Sequence, residues 1–257
     1  MPVDKMFEVF FTVFGAVVGS FLNVLIYRLP KGFHINKPAR SVCPQCKKQI
    51  PWYDNIPIVS FLFLKGKCRN CKKKISPRYF IVELLSALLF LGIFRNYGMF
   101  FESLYYVFFA ATLIAITFID LEYYIIPDLL SFTGIAVGLF GSFWVEALGP
   151  VSSLLGIIFG GGSFWLLSFL YEKATNREGL GFGDVKMLAM IGAFLGPQGV
   201  LFTILVSSLT GSVIGLTMMV LKKKNLKMAL PYGPFLAIGA LVFIFWGDWF
   251  SYLCLLQ

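Results

Sequence analysis

Long apolar runs alternate with short polar loops along nearly the whole chain. A helix that crosses the hydrocarbon core needs about 20 mostly apolar residues. Eight segments fit or approach that length: about 7–27, 79–95, 101–119, 128–146, 151–171, 185–197, 199–221 and 235–254. The sixth is short and rich in glycine, and Gly196-Pro197 leaves its end open, so seven is the alternative count. One polar stretch is long, from 28 to 78. The pattern predicts an all-α polytopic membrane protein of about eight transmembrane helices, with one small soluble domain between the first and the second.

Composition agrees. The chain is 58% hydrophobic and 14% charged, with a mean hydropathy of +0.80, whereas soluble domains are about a quarter charged. A net charge of +9 could point to nucleic acid, but the cations sit in loops between apolar segments. All of the 22 Lys and Arg except Lys5 and Arg95 fall in the loops 28–78, 172–186 and 222–234. With eight spans, these three loops share one side, and their charge makes it the cytoplasmic side. The expected partner is therefore the lipid bilayer, with no nucleic acid. The first apolar run follows only Lys5, flanked by Asp4 and Glu8, and is long enough to span, so it reads as a membrane helix rather than a cleaved leader.

Four of the five cysteines form Cys43-Pro-Gln-Cys46 and Cys68-Arg-Asn-Cys71 in the soluble loop. Each CxxC turn offers two sulfurs, and two such turns complete a tetrahedron, so Cys43, Cys46, Cys68 and Cys71 are the expected ligands of a zinc ion. A reducing compartment disfavours the alternative of two disulfides. Four thiolates leave no open position, so the metal is expected to be structural. Cys254 reads as a small buried hydrophobe and His34 as a surface residue. In the first span, Gly15 and Gly19 at GxxxG spacing predict a close helix contact, and Asn23 is placed to cap a neighbour or face the loop. The aromatic stretch 51–64 is expected to pack on the metal domain or to dip into the membrane interface. Glu83 lies inside the second span, where an acid needs a partner or a role. Arg78 is one candidate partner, and a functional role for Glu83 is the alternative.

Three acids stand at span ends. Asp128 and Asp184 each begin an apolar segment, where a carboxylate caps free N–H groups. Asp120 ends one, where the helix dipole disfavours a negative charge and no local gain offsets it. The glycines at 179, 181 and 183 before Asp184 permit close backbone approach. A phosphate-binding fingerprint would need a preceding buried strand, which is absent from the pattern. Two carboxylates brought together share one proton, so that one activates water while the other polarises a scissile carbonyl. Asp120 and Asp184 are the expected pair.

These residues, read together with Gly19–Pro30, Trp52-Tyr-Asp-Asn-Ile-Pro57, Gly66-Lys-Cys68, Ile75–Tyr79 and Pro231-Tyr-Gly-Pro-Phe235, resemble the bacterial type IV prepilin peptidases, membrane aspartic proteases of GxGD type. The resemblance covers nearly the whole chain. It places the catalytic aspartates on Asp120 and Asp184. Asp128, Gly181, Gly183 and Lys186 are accessory candidates. It implies cleavage of the basic leader from prepilins and pseudopilins at the cytoplasmic face of the bacterial inner membrane. It also implies N-methylation of the new terminus with S-adenosylmethionine, in a part spanning 1–95 with Glu83 as its candidate residue. Residues 96–257 would then form the peptidase part, and the pilus or type II secretion machinery would be an indirect partner. The rivals are a peptidase that does not methylate, a transporter or assembly protein with a zinc-bearing loop, and a protease of the signal-peptide-peptidase kind. The last would cut inside a transmembrane segment and need no metal loop.

Overall fold

The computed structural model describes residues 3–35, 41–98, 101–175, 181–222 and 230–255. It is helical throughout: α1 Val3–Arg28, α2 Val59–Phe63, α3 Pro77–Tyr97, α4 Phe101–Tyr123, α5 Asp128–Gly141, α6 Gly149–Thr175, α7 Phe182–Lys222 and α8 Gly233–Leu255. Five of these helices are long and apolar enough to cross a membrane: α1, α3, α4, α6 and α7. The chain is an integral membrane protein. Among the described residues no strand forms, only the isolated bridges Val42–Gln49 and Lys67–Lys74. The side chain of Cys254 lies outside the described residues, as do Gly179 and Leu180. Met1–Met99 and Phe100–Gln257 form two compact units.

In the first unit α1 and α3 run antiparallel. An added Cβ on Gly15 would sit 2.6 Å from the Ser86 carbonyl oxygen, and one on Gly19 would sit 2.7 Å from the Glu83 Cα. Only glycine allows this approach, which fulfils the expected GxxxG contact. Phe11 stacks on Phe94 at 4.7 Å, and Arg95 grips Glu8 through two hydrogen bonds of 2.9 and 3.0 Å. At the other end Asn23 Nδ2 donates to the Tyr79 carbonyl at 3.1 Å. Ser76 and Pro77 open α3, and Gly98 (φ 70°) closes it.

In the second unit α4 is buried nearly all round, and Phe109 stacks on Phe194 of α7 at 4.3 Å. The segment expected at 128–146 ends at Gly141, because the chain turns through 142–148 before α6. At 14 residues, α5 is about 21 Å long. Gly134 and Gly138 bring it against Met190 and Ala193 of α7.

The segments expected at 185–197 and 199–221 form one run of 41 residues, interrupted at Gly196 (φ 67°, ψ −174°). As one straight rod it would measure about 60 Å, twice the hydrocarbon core. It is a hairpin instead. Before the break, α7 runs from the Asp120 end of α4 towards Tyr105. After it, Thr203 abuts Gly239 and Gly211 faces Phe235, so the chain runs back along α8. Pro197 has no N–H for the Ala193 carbonyl four residues earlier. Ser153 donates to that carbonyl at 2.8 Å, and the Tyr105 hydroxyl lies 3.2 Å from it. Gly156 and Gly192 meet backbone to backbone where α6 crosses α7. Among the described residues, counting the two limbs of α7 separately and adding the shorter apolar helices α5 and α8 gives eight apolar helical segments.

Candidate active site and metal centre

In the soluble loop, Cys43 N–H bonds the Lys48 carbonyl at 2.9 Å and Lys47 N–H bonds the Cys43 carbonyl at 2.9 Å. Cys68 repeats both bonds at 2.9 Å with Lys73 and Lys72. Lys47 (φ 59°) and Lys72 (φ 56°) take the same left-handed turn. The chain has built one knuckle twice. The four sulfurs all lie within 4.8 Å of one another, and Cys43 Sγ stands 4.0 Å from Cys71 Sγ. A tetrahedron of Zn–S bonds has edges of about 3.8 Å, so the donor set fits a metal ion. Backbone N–H groups of Cys71 and Asn70 lower the pKa of the Cys68 thiol, while burial and the neighbouring sulfurs raise that of Cys71, so the four thiols are electrostatically linked as one set. His34 is exposed and supplies only its backbone carbonyl, to Arg28.

Glu83 is buried in the same unit. It does not take Arg78 as its partner: Oε2 accepts the Ile58 N–H at 2.7 Å. Arg78 instead lies over the Tyr79 ring at 5.0 Å.

In the second unit, α4 ends when Tyr124 takes a left-handed conformation (φ 58°), its N–H bonding the Asp120 carbonyl at 2.9 Å. Pro127 then starts α5. This turn, the start of α7 and the end of α4 enclose a cleft of about 270 Å³. Asp120, Tyr124, Ile125, Ile126, Gly181, Gly183, Asp184 and Lys186 line it. The two expected carboxylates thus line one cleft. Gly183 lies against Ile126, where an added Cβ would come to 3.1 Å. Asp184 occupies the first turn of α7, its N–H bonding the Gly181 carbonyl at 3.0 Å.

Asp120 does have an offset for its position, contrary to the expectation from α4 alone. It is 5% exposed, and its Oδ2 accepts the Gly233 N–H at 3.0 Å. Gly233 is the first residue of α8, so the carboxylate that is misplaced at one helix C-terminus sits well at another helix's N-terminus. A Cβ at 233 would stand 2.8 Å from that oxygen. Sequence reasoning gave Gly233 no role. It lies inside Pro231-Tyr-Gly-Pro-Phe235, which carries the family resemblance but assigns Gly233 no part in the site. Among the described residues, no protein group hydrogen-bonds the Asp184 carboxylate.

Asp128 stands apart from the cleft lining. It is 69% exposed and ion-paired with Lys186, which is only 12% exposed and lies over the Phe182 ring at 5.2 Å. Lys186 thus links the rim to the cleft.

Comparison with known proteins identifies the family. The model of the bacterial peptidase A24 N-terminal domain matches residues 13–97, and that of the type IV leader peptidase family matches 107–216. A prepilin leader peptidase/N-methyltransferase of Pseudomonas putida is 34% identical over 92% of this chain and 90% of its own length. Similar proteins of the same name are those of Pseudomonas aeruginosa, 35% identical over 91% of this chain and 88% of its own length, and of Aeromonas hydrophila, 34% over 92% and 89%. No solved structure matches. Two family models that follow one another along the chain, and relatives aligned over nine-tenths of it, show its family: the chain belongs to the type IV leader peptidase family.

Proposed function

We propose that this protein removes the basic leader from prepilins and pseudopilins and then methylates the new N-terminus, at the cytoplasmic face of the bacterial inner membrane. The observation that carries the peptidase reading is the convergence of Asp120 and Asp184 on one cleft at the ends of two membrane helices. One proton is shared between them. The ionised carboxylate takes a proton from water as its oxygen attacks the scissile carbonyl carbon, while the protonated one donates to the carbonyl oxygen. Collapse of the tetrahedral intermediate breaks the C–N bond, and the proton first taken from water goes to the leaving amine. The Gly233 N–H fixes Asp120 and occupies one of its oxygens. No described group ties Asp184 in this way, and in our reading it follows the reacting oxygen. Gly181 and Gly183 keep the cleft wall low enough for an extended peptide, and the Lys186–Asp128 pair holds the rim.

Residues 96–257 carry this chemistry in our reading, and 1–95 the methyl transfer. There S-adenosylmethionine would supply the methyl group, and Glu83 is the candidate acceptor of the proton that the new amine would lose. The ion held by Cys43, Cys46, Cys68 and Cys71 is zinc. It braces the loop and takes part in no step, because four thiolates fill its coordination. The pilus or type II secretion machinery then uses the product.

Leader removal tests the peptidase reading. Membranes carrying the wild type, Asp120→Asn or Asp184→Asn are incubated with a prepilin. Cleavage by wild type and by neither variant, at equal amounts of folded protein, supports the dyad. Cleavage by both variants rules it out.

A further inference from the structure

The loop between α1 and α3 does not simply stand off the membrane. It comes back down beside α3. The Ile58 N–H reaches Glu83 at 2.7 Å, and the Phe61 ring stacks on Phe80 at 5.3 Å. Because α3 starts at Pro77, Glu83 lies about 9 Å along its axis. The segment 57–63 therefore occupies the depth of the first two turns of a membrane-spanning helix.

Non-helical backbone survives at that depth only where its polar groups are satisfied, and here the N–H groups of Ile58, Val59, Ser60 and Leu62 all have partners. Ile58 (φ 64°, ψ −53°) forms the centre of a tight γ-turn, closed by Val59 N–H to Pro57 carbonyl at 2.6 Å. That geometry is strained for a β-branched residue. The Glu83 carboxylate takes the one N–H the turn leaves inward. Ser60 binds the Tyr53 carbonyl at 2.8 Å and fastens the preceding turn to α2.

What this scaffold presents is apolar. Trp52 is 80% and Phe63 84% exposed, and Ile56, Val59 and Leu62 are exposed beside them. Cations flank the segment: Lys65 and Lys67 follow directly, and the loop 28–78 holds 13 Lys and Arg against one acid, Asp54. Arg69 already holds that acid at 2.6 Å. An apolar ridge with an aromatic rim and a cationic margin, fixed at interfacial depth, matches the chemistry of an anionic bilayer surface.

We infer that Trp52–Phe63 is a membrane wedge. Trp52, Leu62 and Phe63 enter the boundary between headgroups and acyl chains of the leaflet where α1 ends and α3 begins. Lys65 and Lys67 meet anionic headgroups, and Glu83 anchors the wedge to α3. The metal knuckles are thereby held against the bilayer surface. The inference does not depend on either proposed reaction.

The test uses the native chain and Trp52→Phe, reconstituted in nanodiscs of phosphatidylcholine and phosphatidylglycerol. The acyl chains are unmodified, brominated at carbons 6 and 7, or brominated at carbons 11 and 12. The difference in emission between the two proteins isolates Trp52 and leaves the other tryptophans in place. Trp52 is so exposed that its loss leaves the fold intact. The expected result is that bromine at 6,7 quenches the Trp52 signal at least twofold, more than bromine at 11,12. Leu62→Ser with Phe63→Ser should lower that quenching, and added prepilin should leave it unchanged. A Trp52 signal indifferent to bromine places the ridge in water and overturns the wedge. Quenching abolished by prepilin makes the ridge a substrate dock and overturns it as well.

Discussion

Each knuckle carries its own scaffold: the hydrogen bonds that shape Cys43 and Cys68 come from residues four and five positions away. The aspartate cleft has no such local support. Asp120 comes from α4, Asp184 from α7, and the N–H that holds Asp120 from Gly233, 113 residues further on. The difference teaches where each site is vulnerable. The metal centre fails when its ligands fail. The cleft fails when distant helices shift.

Four changes break or sharpen that contrast. The largest effect falls on the metal. Cys43→Ser with Cys68→Ser leaves two donors, and elemental analysis of the purified protein should fall from about one zinc per chain to almost none. Gly233→Ala comes next, because its methyl group would stand 2.8 Å from Asp120 Oδ2. Displacement of a catalytic group on that scale costs up to about 100-fold, and it should appear in kcat for leader removal, with KM little changed. Gly192→Val strikes the bare backbone crossing of α6 and α7. Overpacking of this kind costs on the order of 3 kcal/mol, to be read as a lowered melting temperature in detergent, with the metal content untouched. Asp128→Asn is the smallest. Its carboxylate is mostly in solvent and outside the cleft lining, so cleavage should stay within about threefold of wild type.

The same contrast explains what the sequence could show. CxxC spacing is a local code, so the four ligands were legible from two short motifs. Apolar run lengths placed Asp120 and Asp184 at segment ends, and glycine spacing announced the α1–α3 contact. Three features carried no local signal. The α7 hairpin looked like an uncertain break, because what stabilises it is Ser153 and Tyr105 taking the carbonyl that Pro197 leaves without a partner. Gly233 could not be tied to Asp120, because a bond across 113 residues leaves no periodicity. For Glu83 the sequence suggested Arg78 as one candidate partner, whereas the structure gives it Ile58, a backbone group 25 residues away. Side-chain partners near in sequence are easy to suggest, and backbone partners brought in by a fold are not.

The most direct test of the account is the intact mass of a prepilin after incubation with the reconstituted protein and S-adenosylmethionine. One spectrum reads both reactions. Wild type should give a leaderless, singly methylated product, Asp120→Asn and Asp184→Asn full-length prepilin, and Glu83→Gln a leaderless, unmethylated product. Leaderless product from both aspartate variants would contradict the central claim that these two carboxylates cut the chain.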